Sequence, residues 1–150
     1  MPTTPVISPC GSGKTIRAFG EEVIVHLGGE QTDGAFALWT EITPPGGGPP
    51  PHYHEREDET FYVLEGRIAF FREGHWEEVP VGSVAYMPKN SVHTFKNVGD
   101  TPAKLLISTR PAGFEVFFER CADEFAKSGG PDMPRIMEIS AAHGIHFVNS

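Results

Sequence analysis

Cysteine is nearly absent from this chain. The 150 residues hold two, Cys10 and Cys121, far apart and without metal-binding or redox spacing. A disulfide framework is therefore not expected, and the reading is two reduced thiols in a cytoplasmic protein. Basic side chains are also scarce: 12 Lys and Arg stand against 20 Asp and Glu, for a net charge of -8. With no basic cluster, nucleic acid and anionic membrane surfaces are poor partners. No apolar stretch approaches the roughly 18–20 residues that span a bilayer. The opening Met1-Pro2-Thr3-Thr4-Pro5 lacks the charged-then-apolar layout of a secretory leader. Long helical periodicity is missing from the first two thirds of the sequence.

Turn formers are abundant instead. There are 17 glycines and 14 prolines, about a fifth of the chain, while 39% of residues are hydrophobic and 21% charged. That composition can build a core, and it favours many short strands in one domain over a helical bundle. Gly and Pro separate β-rich stretches. Val23–Leu27, residues 35–42 (with large side chains at Phe36, Leu38 and Ile42 and Trp39 between them), Glu59–Leu64, Arg67–Phe71, Glu77–Val79, Ser83–Met87, His93–Val98 and Lys104–Thr109 all read as strands. Glu65-Gly66 predicts a hairpin turn between the Glu59 and Arg67 stretches. Strands at this spacing point to an antiparallel sandwich or barrel over about 15–110.

The pattern changes after Pro111. Phe114, Phe117, Phe118, Cys121 and Phe125 recur on one helical face, and Gly129-Gly130-Pro131 ends that helix. A second, weaker helix is expected from about Pro134 to Ala142, with Gly144 as its stop. The helical segment thus covers about 112–143, and its phenylalanine stripe is read as a face that docks on the sheet. Near the start, Gly11-Ser12-Gly13-Lys14-Thr15 imitates a phosphate-binding loop. Ser8 stands where the loop's first glycine belongs, and Thr15–Leu27 is β-like where a helix should follow, so a nucleotide site is not expected.

The chemistry is concentrated in two segments. His52 and His54 are two apart, so in a strand their imidazoles face the same side. Glu59 is an odd step from His54, and a break among Glu55-Arg56-Glu57-Asp58 is needed to bring it to that side. His93 lies in a second strand. Three imidazoles and a carboxylate make a mixed N/O set suited to a divalent transition ion. His26, His75, His143 and His146 read as ordinary structural or surface histidines. Glu55, Glu57 and Asp58 read as a solvated turn.

These residues resemble a known family. Gly46-x5-His52-x-His54-x4-Glu59-x6-Gly66 matches the first cupin motif, and Gly82-x5-Pro88-x-Asn90-x2-His93-x3-Asn97 matches the second with Asn90 in place of the usual glycine. Asn tolerates left-handed backbone better than other non-glycine residues, so this departure is mild. The resemblance implies a single cupin domain, mainly β: an antiparallel jelly-roll β-barrel with one or two C-terminal α-helices, commonly a homodimer. It implies His52, His54, Glu59 and His93 as ligands of one divalent transition metal ion (Fe, Mn, Ni, Co, Cu or Zn). The PPGGGPPPHYH segment and the Phe-rich helix look most like small bacterial monocupins related to quercetin dioxygenases.

The expectation that follows is a mononuclear-metal dioxygenase acting on an enolic or phenolic, flavonol-like small molecule, with Glu59 moving the substrate proton. Parity with the ligands turns Phe61, Val63 and Phe95 inward as pocket wall, and Tyr86 is expected to add to it. Two other activities use the same ligands: a non-redox isomerase or decarboxylase, which would favour basic pocket groups, and a metal-containing binding protein without catalysis. The tail from Gly144 to Ser150 has no role that the sequence defines.

Overall fold

A computed structural model describes residues 4–148. The elements in order are β1 (Lys14–Ala18), β2 (Glu21–Leu27), α1 (Gly29–Thr32), β3 (Ala37–Thr43), β4 (His52–His54), β5 (Asp58–Glu65), β6 (Ile68–Arg72), β7 (His75–Val79), β8 (Val84–Met87), β9 (His93–Asn97), β10 (Ala103–Arg110), α2 (Phe114–Phe125), α3 (Met133–Ala142) and β11 (Ile145–Phe147). The strands form two antiparallel sheets. One has the order β1-β2-β3-β10-β5-β8, the other β11-β4-β9-β6-β7. This is the expected mainly β jelly roll, with α2 and α3 following the last long strand.

Period-two burial decides what fills the space between the sheets. Ala37, Trp39, Glu41 and Thr43 face inward from β3, and Glu59, Phe61 and Val63 from β5. Ala103, Leu105, Ile107 and Thr109 do so from β10. Burying each large aliphatic side chain contributes about 1.5–3 kcal/mol, so the wall formed by Val63, Leu105 and Ile107 is a principal source of stability.

The segment after Glu65 corrects one expectation. β5 pairs with β10 and β8, whereas β6 pairs with β7 and β9 in the other sheet. Glu65-Gly66 is therefore a corner between sheets and not a hairpin turn. Gly66 has φ 88°, and a Cβ there would stand 2.6 Å from the Ala103 Cβ, so only glycine fits the corner. Asn90 has φ 69°, the left-handed backbone anticipated for a residue in glycine's place.

The helices close one mouth of the barrel. Phe117, Phe118 and Cys121 are buried on α2. Phe19, in the turn between β1 and β2, meets the rings of Phe117, Phe118 and Phe125 at centroid distances of 6.4, 5.9 and 4.8 Å. Glu115 caps the start of α2 without an N-cap side chain: its two carboxylate oxygens accept from the Gly113 and Gly29 amides at 2.6 Å each. Asp132 caps α3 by accepting from the Arg135 amide at 3.2 Å. Gly13-Lys14 leads into β1, so no helix follows the loop-like sequence near the start.

The tail takes up a definite place. Ile145–Phe147 pairs antiparallel with β4, with Ile145 opposite His54 and Phe147 opposite His52. Residues 149 and 150 lie outside the described residues.

Candidate metal centre

β4 and β9 meet through one paired position, His52 opposite His93. His54 lies two residues along β4 on the same inner face. The chain then leaves this sheet through Glu55, Arg56 and Glu57 and enters β5 in the facing sheet, which turns Glu59 back toward the histidines. The expected break is thus a change of sheet. Ligand atoms of His52, His54, Glu59 and His93 all lie within 4.8 Å of one another, and all four residues are buried.

Each histidine is oriented by a bond on its outer nitrogen. Nδ1 of His52 bonds the Pro50 carbonyl at 2.8 Å, Nδ1 of His93 the Ser91 carbonyl at 2.9 Å, and Nδ1 of His54 the Glu57 carboxylate at 3.0 Å. A carbonyl or carboxylate accepts only, so each Nδ1 carries the proton and donates it. Each Nε2 faces the cluster and in the neutral ring carries the lone pair a metal ion requires; without an ion, the His93 Nε2–Glu59 Oε1 contact at 3.0 Å holds a proton between them. His93 Nε2 lies 3.0 Å and His54 Nε2 3.4 Å from the same oxygen, Oε1 of Glu59. His54 Nε2 is buried without a hydrogen-bond partner. An orphaned lone pair aimed at two other imidazoles and a carboxylate fits a divalent ion held by these four side chains.

The electrostatics favour the ligand protonation states at His52 and Glu59, and in the absence of an ion favour the protonated ring at His54. Burial, then the neighbouring His93 and His54, lowers the His52 pKa to about 3, so its ring stays neutral, as metal binding requires. Burial also disfavours charge on His54, but its bond to Glu57 and the nearness of Glu59 outweigh it and raise its pKa. Burial would protonate Glu59, yet the His93 bond and the surrounding imidazoles win and hold its carboxyl below the ordinary range. Glu59 is therefore an anion, as a ligand must be.

Glu57 corrects the reading of a solvated turn. It is 5% exposed, and its carboxylate fixes the His54 ring. A carboxylate three residues after a ligand histidine was the available signal, hidden among four consecutive charged residues. Glu57→Gln is expected to leave the fold intact and weaken metal binding by about 10–100-fold, the usual cost of losing such an orienting group. Competition against a chelator of known affinity measures it.

The cluster opens into a narrow, mostly apolar cavity. His52, Glu59, His93, Phe61 and Phe95 line it, and so do Phe114, Phe117 and Phe118 of α2 and Ile145 and Phe147 of the tail. The phenylalanine stripe, expected only to dock, is also site wall. Val63 is fully buried but lies beyond Phe61, away from the cavity. Tyr86 departs from expectation: it is 59% exposed on the outside of β8, paired with Thr60, while Met87 is buried. Parity counted along β8 turns Tyr86 outward. The other histidines lie outside the cluster, His146 with its Nε2 3.1 Å from Glu55 Oε1. His26 bonds Thr40 Oγ1 at 2.7 Å and His143 bonds Arg120, while His75 is exposed.

Two carboxyls that the sequence reading passed over, Glu21 and Glu41, also line the cavity. Burial raises the Glu21 pKa, and burial followed by the charge of Glu21 raises that of Glu41 further. A carboxyl with a raised folded pKa stays protonated after the unfolded chain has ionised. Its contribution to stability is full below the unfolded value, about 4.3, and is lost as pH rises toward the folded value. At fixed metal loading, the urea midpoint of the wild type should therefore fall between pH 5 and 8 more steeply than that of Glu41→Gln.

Comparison with known proteins gives the same picture. A family model described as a cupin domain matches residues 39–109. The chain is 27% identical over 135 residues to quercetin 2,3-dioxygenase of Bacillus subtilis, covering 90% of this chain and 40% of that one. It is 33% identical over 70 residues to an uncharacterised protein of Methanocaldococcus jannaschii, covering 47% of this chain and 56% of the other. The chain therefore spans about two fifths and just over half of the lengths of these two relatives. Among solved structures, a predicted oxalate decarboxylase from Thermotoga maritima superposes with TM-score 0.65 at 22% identity, over 71% of this chain and 99% of that one. KdgF from Halomonas superposes with TM-score 0.65 at 15% identity, over 74% and 99%. At those identities the likeness establishes the fold.

Proposed function

The chain carries a cupin domain over residues 39–109, and from that premise we propose that it is a mononuclear-metal dioxygenase of an enolic or phenolic, flavonol-like small molecule. The observation that carries this reading is the His52–His54–Glu59–His93 set opening into a phenylalanine-walled cavity. The distant similarity to quercetin 2,3-dioxygenase supports the same choice of chemistry.

The residues divide the work. His52, His54 and His93 supply neutral nitrogen donors through Nε2, and Glu59 supplies one carboxylate oxygen. These side chains would hold a divalent transition ion, whose chemistry there would be Lewis-acid polarisation of a substrate oxygen. Glu59 has a second carboxylate oxygen free to take the substrate's hydroxyl proton, which makes it the catalytic base. Phe61, Phe95, Phe114 and Phe117 hold a flat ring against the cluster and exclude water, which orients the reacting carbon and strengthens the charge interactions around it. Both atoms of O₂ enter the organic product, so no further reductant is required.

The cavity wall bears on the alternatives. Among the described residues none of the lining side chains is Lys or Arg, and three are glutamates. A decarboxylase or isomerase acting on a small dianion gains from cationic groups that this wall does not offer. The deciding experiment loads the metal-free protein with Fe(II), Mn(II), Ni(II) or Co(II) and follows O₂ uptake with a flavonol such as quercetin. Uptake that requires the ion and disappears in His52→Ala is the expected result. No uptake with any of the four ions, or turnover that proceeds without O₂, overturns the reading.

A further inference from the structure

Three carboxyls face the cavity, and only Glu59 belongs to the histidine cluster. The other two, Glu21 of β2 and Glu41 of β3, are 3% and 5% exposed. Glu22 pairs with Ile42 across these strands and Val23 with Glu41, so Glu21 shares the inner face with Glu41 and Thr43. Trp39 Nε1 donates to Glu41 Oε1 at 3.2 Å. Glu41 and Thr43 are the polar neighbours of the Glu21 carboxyl, and neither of its oxygens meets them in good hydrogen-bond geometry. Leaving a buried acceptor unmet costs about 1–3 kcal/mol, more when it is charged, and this strand pair accepts that cost where valine or leucine would fill the barrel. A buried acidic pair on a cavity wall, with carboxyl oxygens in poor hydrogen-bond geometry, can receive a donor from whatever enters.

We propose that Glu21 and Glu41 form a second polar pole of the cavity, which accepts a hydrogen bond from a hydroxyl of an aromatic ligand whose other end lies at the His52–His54–Glu59–His93 cluster. The inference rests on the phenolic reading of the substrate and sharpens it: the ligand carries a hydroxyl remote from the metal-binding oxygens. Phe19, Phe61, Phe95 and Phe117 line the same cavity as apolar wall suited to a ring. Glu41 also feels the negative charge of Glu59, which places the two poles within electrostatic reach of each other. The pair favours one proton over none, and a neutral hydroxyl can bond it without bringing a further negative charge.

The test uses the full chain loaded with Zn(II), which has no redox chemistry and keeps the bound ligand intact. Trp39 is the reporter, because it is fully buried and hydrogen-bonded to Glu41; Trp76→Phe removes the exposed second tryptophan. The probes are 3-hydroxyflavone and its 4′-hydroxy and 4′-methoxy derivatives, which differ only at the end remote from the enol. The 4′-hydroxy compound should bind about tenfold more tightly than the 4′-methoxy compound, as a hydrogen bond to a charged acceptor predicts. In Glu21→Gln and Glu41→Gln that preference should shrink to about twofold or less while 3-hydroxyflavone affinity is kept. Equal binding of the hydroxy and methoxy compounds to the wild type overturns this inference and leaves the substrate class standing. Failure of all three to bind overturns both. The wild-type comparison needs no variant, so misfolding of a glutamine substitution would not shield the proposal.

Discussion

His93→Ala should abolish metal loading while leaving the barrel folded. Three features of its position set the size of the effect. Its Nε2 is one of the four clustered atoms that could hold an ion. The same nitrogen bonds Glu59 at 3.0 Å and is the leading influence holding that carboxyl ionised against its burial. Its backbone pairs with His52, the one register position joining β4 to β9. Removing the side chain takes one candidate donor directly and weakens the anionic character of a second, Glu59. The loss of affinity should exceed the roughly 100-fold upper range for an orienting group. Elemental analysis should fall from near one ion per chain to under about a tenth, with an unchanged far-ultraviolet circular dichroism spectrum. His26→Ala and His75→Ala should load normally, because those rings lie outside the cluster. Full loading of His93→Ala would place the ion elsewhere in the molecule.

The convergence of His52, His54, Glu59 and His93 was legible because strand geometry and motif spacing point to it. His52 and His54 need only a period of two, and β4 supplies it. Glu59 was legible as a residue but not as a geometry: counting parity through Glu55–Asp58 assumes one strand, and the chain changes sheets there. The Gly66 corner fails in the same way. A glycine between two apolar stretches signals a reversal, and a reversal within one sheet has the same local chemistry as a corner between two. Only the long-range partners, β10 and β8 on one side and β7 and β9 on the other, separate the two cases.

The carboxyls were hidden for a different reason. Along β3 the large apolar residues Leu38 and Ile42 occupy the outer parity, whereas Trp39 and Glu41 take the inner one. Hydrophobic alternation therefore points the wrong face inward, and a buried glutamate is the residue such a pattern least anticipates. Violations of this kind concentrate where a protein binds something. The phenylalanine stripe of α2 carries the same lesson. Its spacing gave the helix and the docking face correctly, but periodicity says nothing about what lies beneath that face. Here it is a cavity, so the same rings serve packing and site.

Gly48→Ala should be among the most damaging single substitutions in the chain, although Gly48 touches no ligand. The Pro-Gly loop from Pro44 to Pro51 lies against β9. The Gly46 amide donates to the Asn97 carbonyl and the Asn97 amide to the Gly47 carbonyl, each at 2.9 Å; Thr94 Oγ1 donates to the Pro49 carbonyl at 2.6 Å. Gly48 has φ 142°, and a Cβ there would stand 2.0 Å from the Phe95 carbonyl oxygen. That atom belongs to a paired strand and cannot yield. The backbone strain alone costs about 1–3 kcal/mol, and lifting the loop adds the loss of its bonds at about 1 kcal/mol each. A destabilisation of about 3 kcal/mol or more is therefore expected in urea denaturation. Metal affinity should fall with it, because the Pro50 carbonyl that orients His52 belongs to the displaced loop. Gly46→Ala is the control. Gly46 also has a positive φ, 78°, but a Cβ there meets nothing within 4 Å, so only the left-handed penalty of about 1–2 kcal/mol applies. Equal effects at the two positions would show that backbone angle alone governs the loop. The larger loss at Gly48, with weaker metal binding, would show that its close approach to β9 holds the His52 side of the site in place.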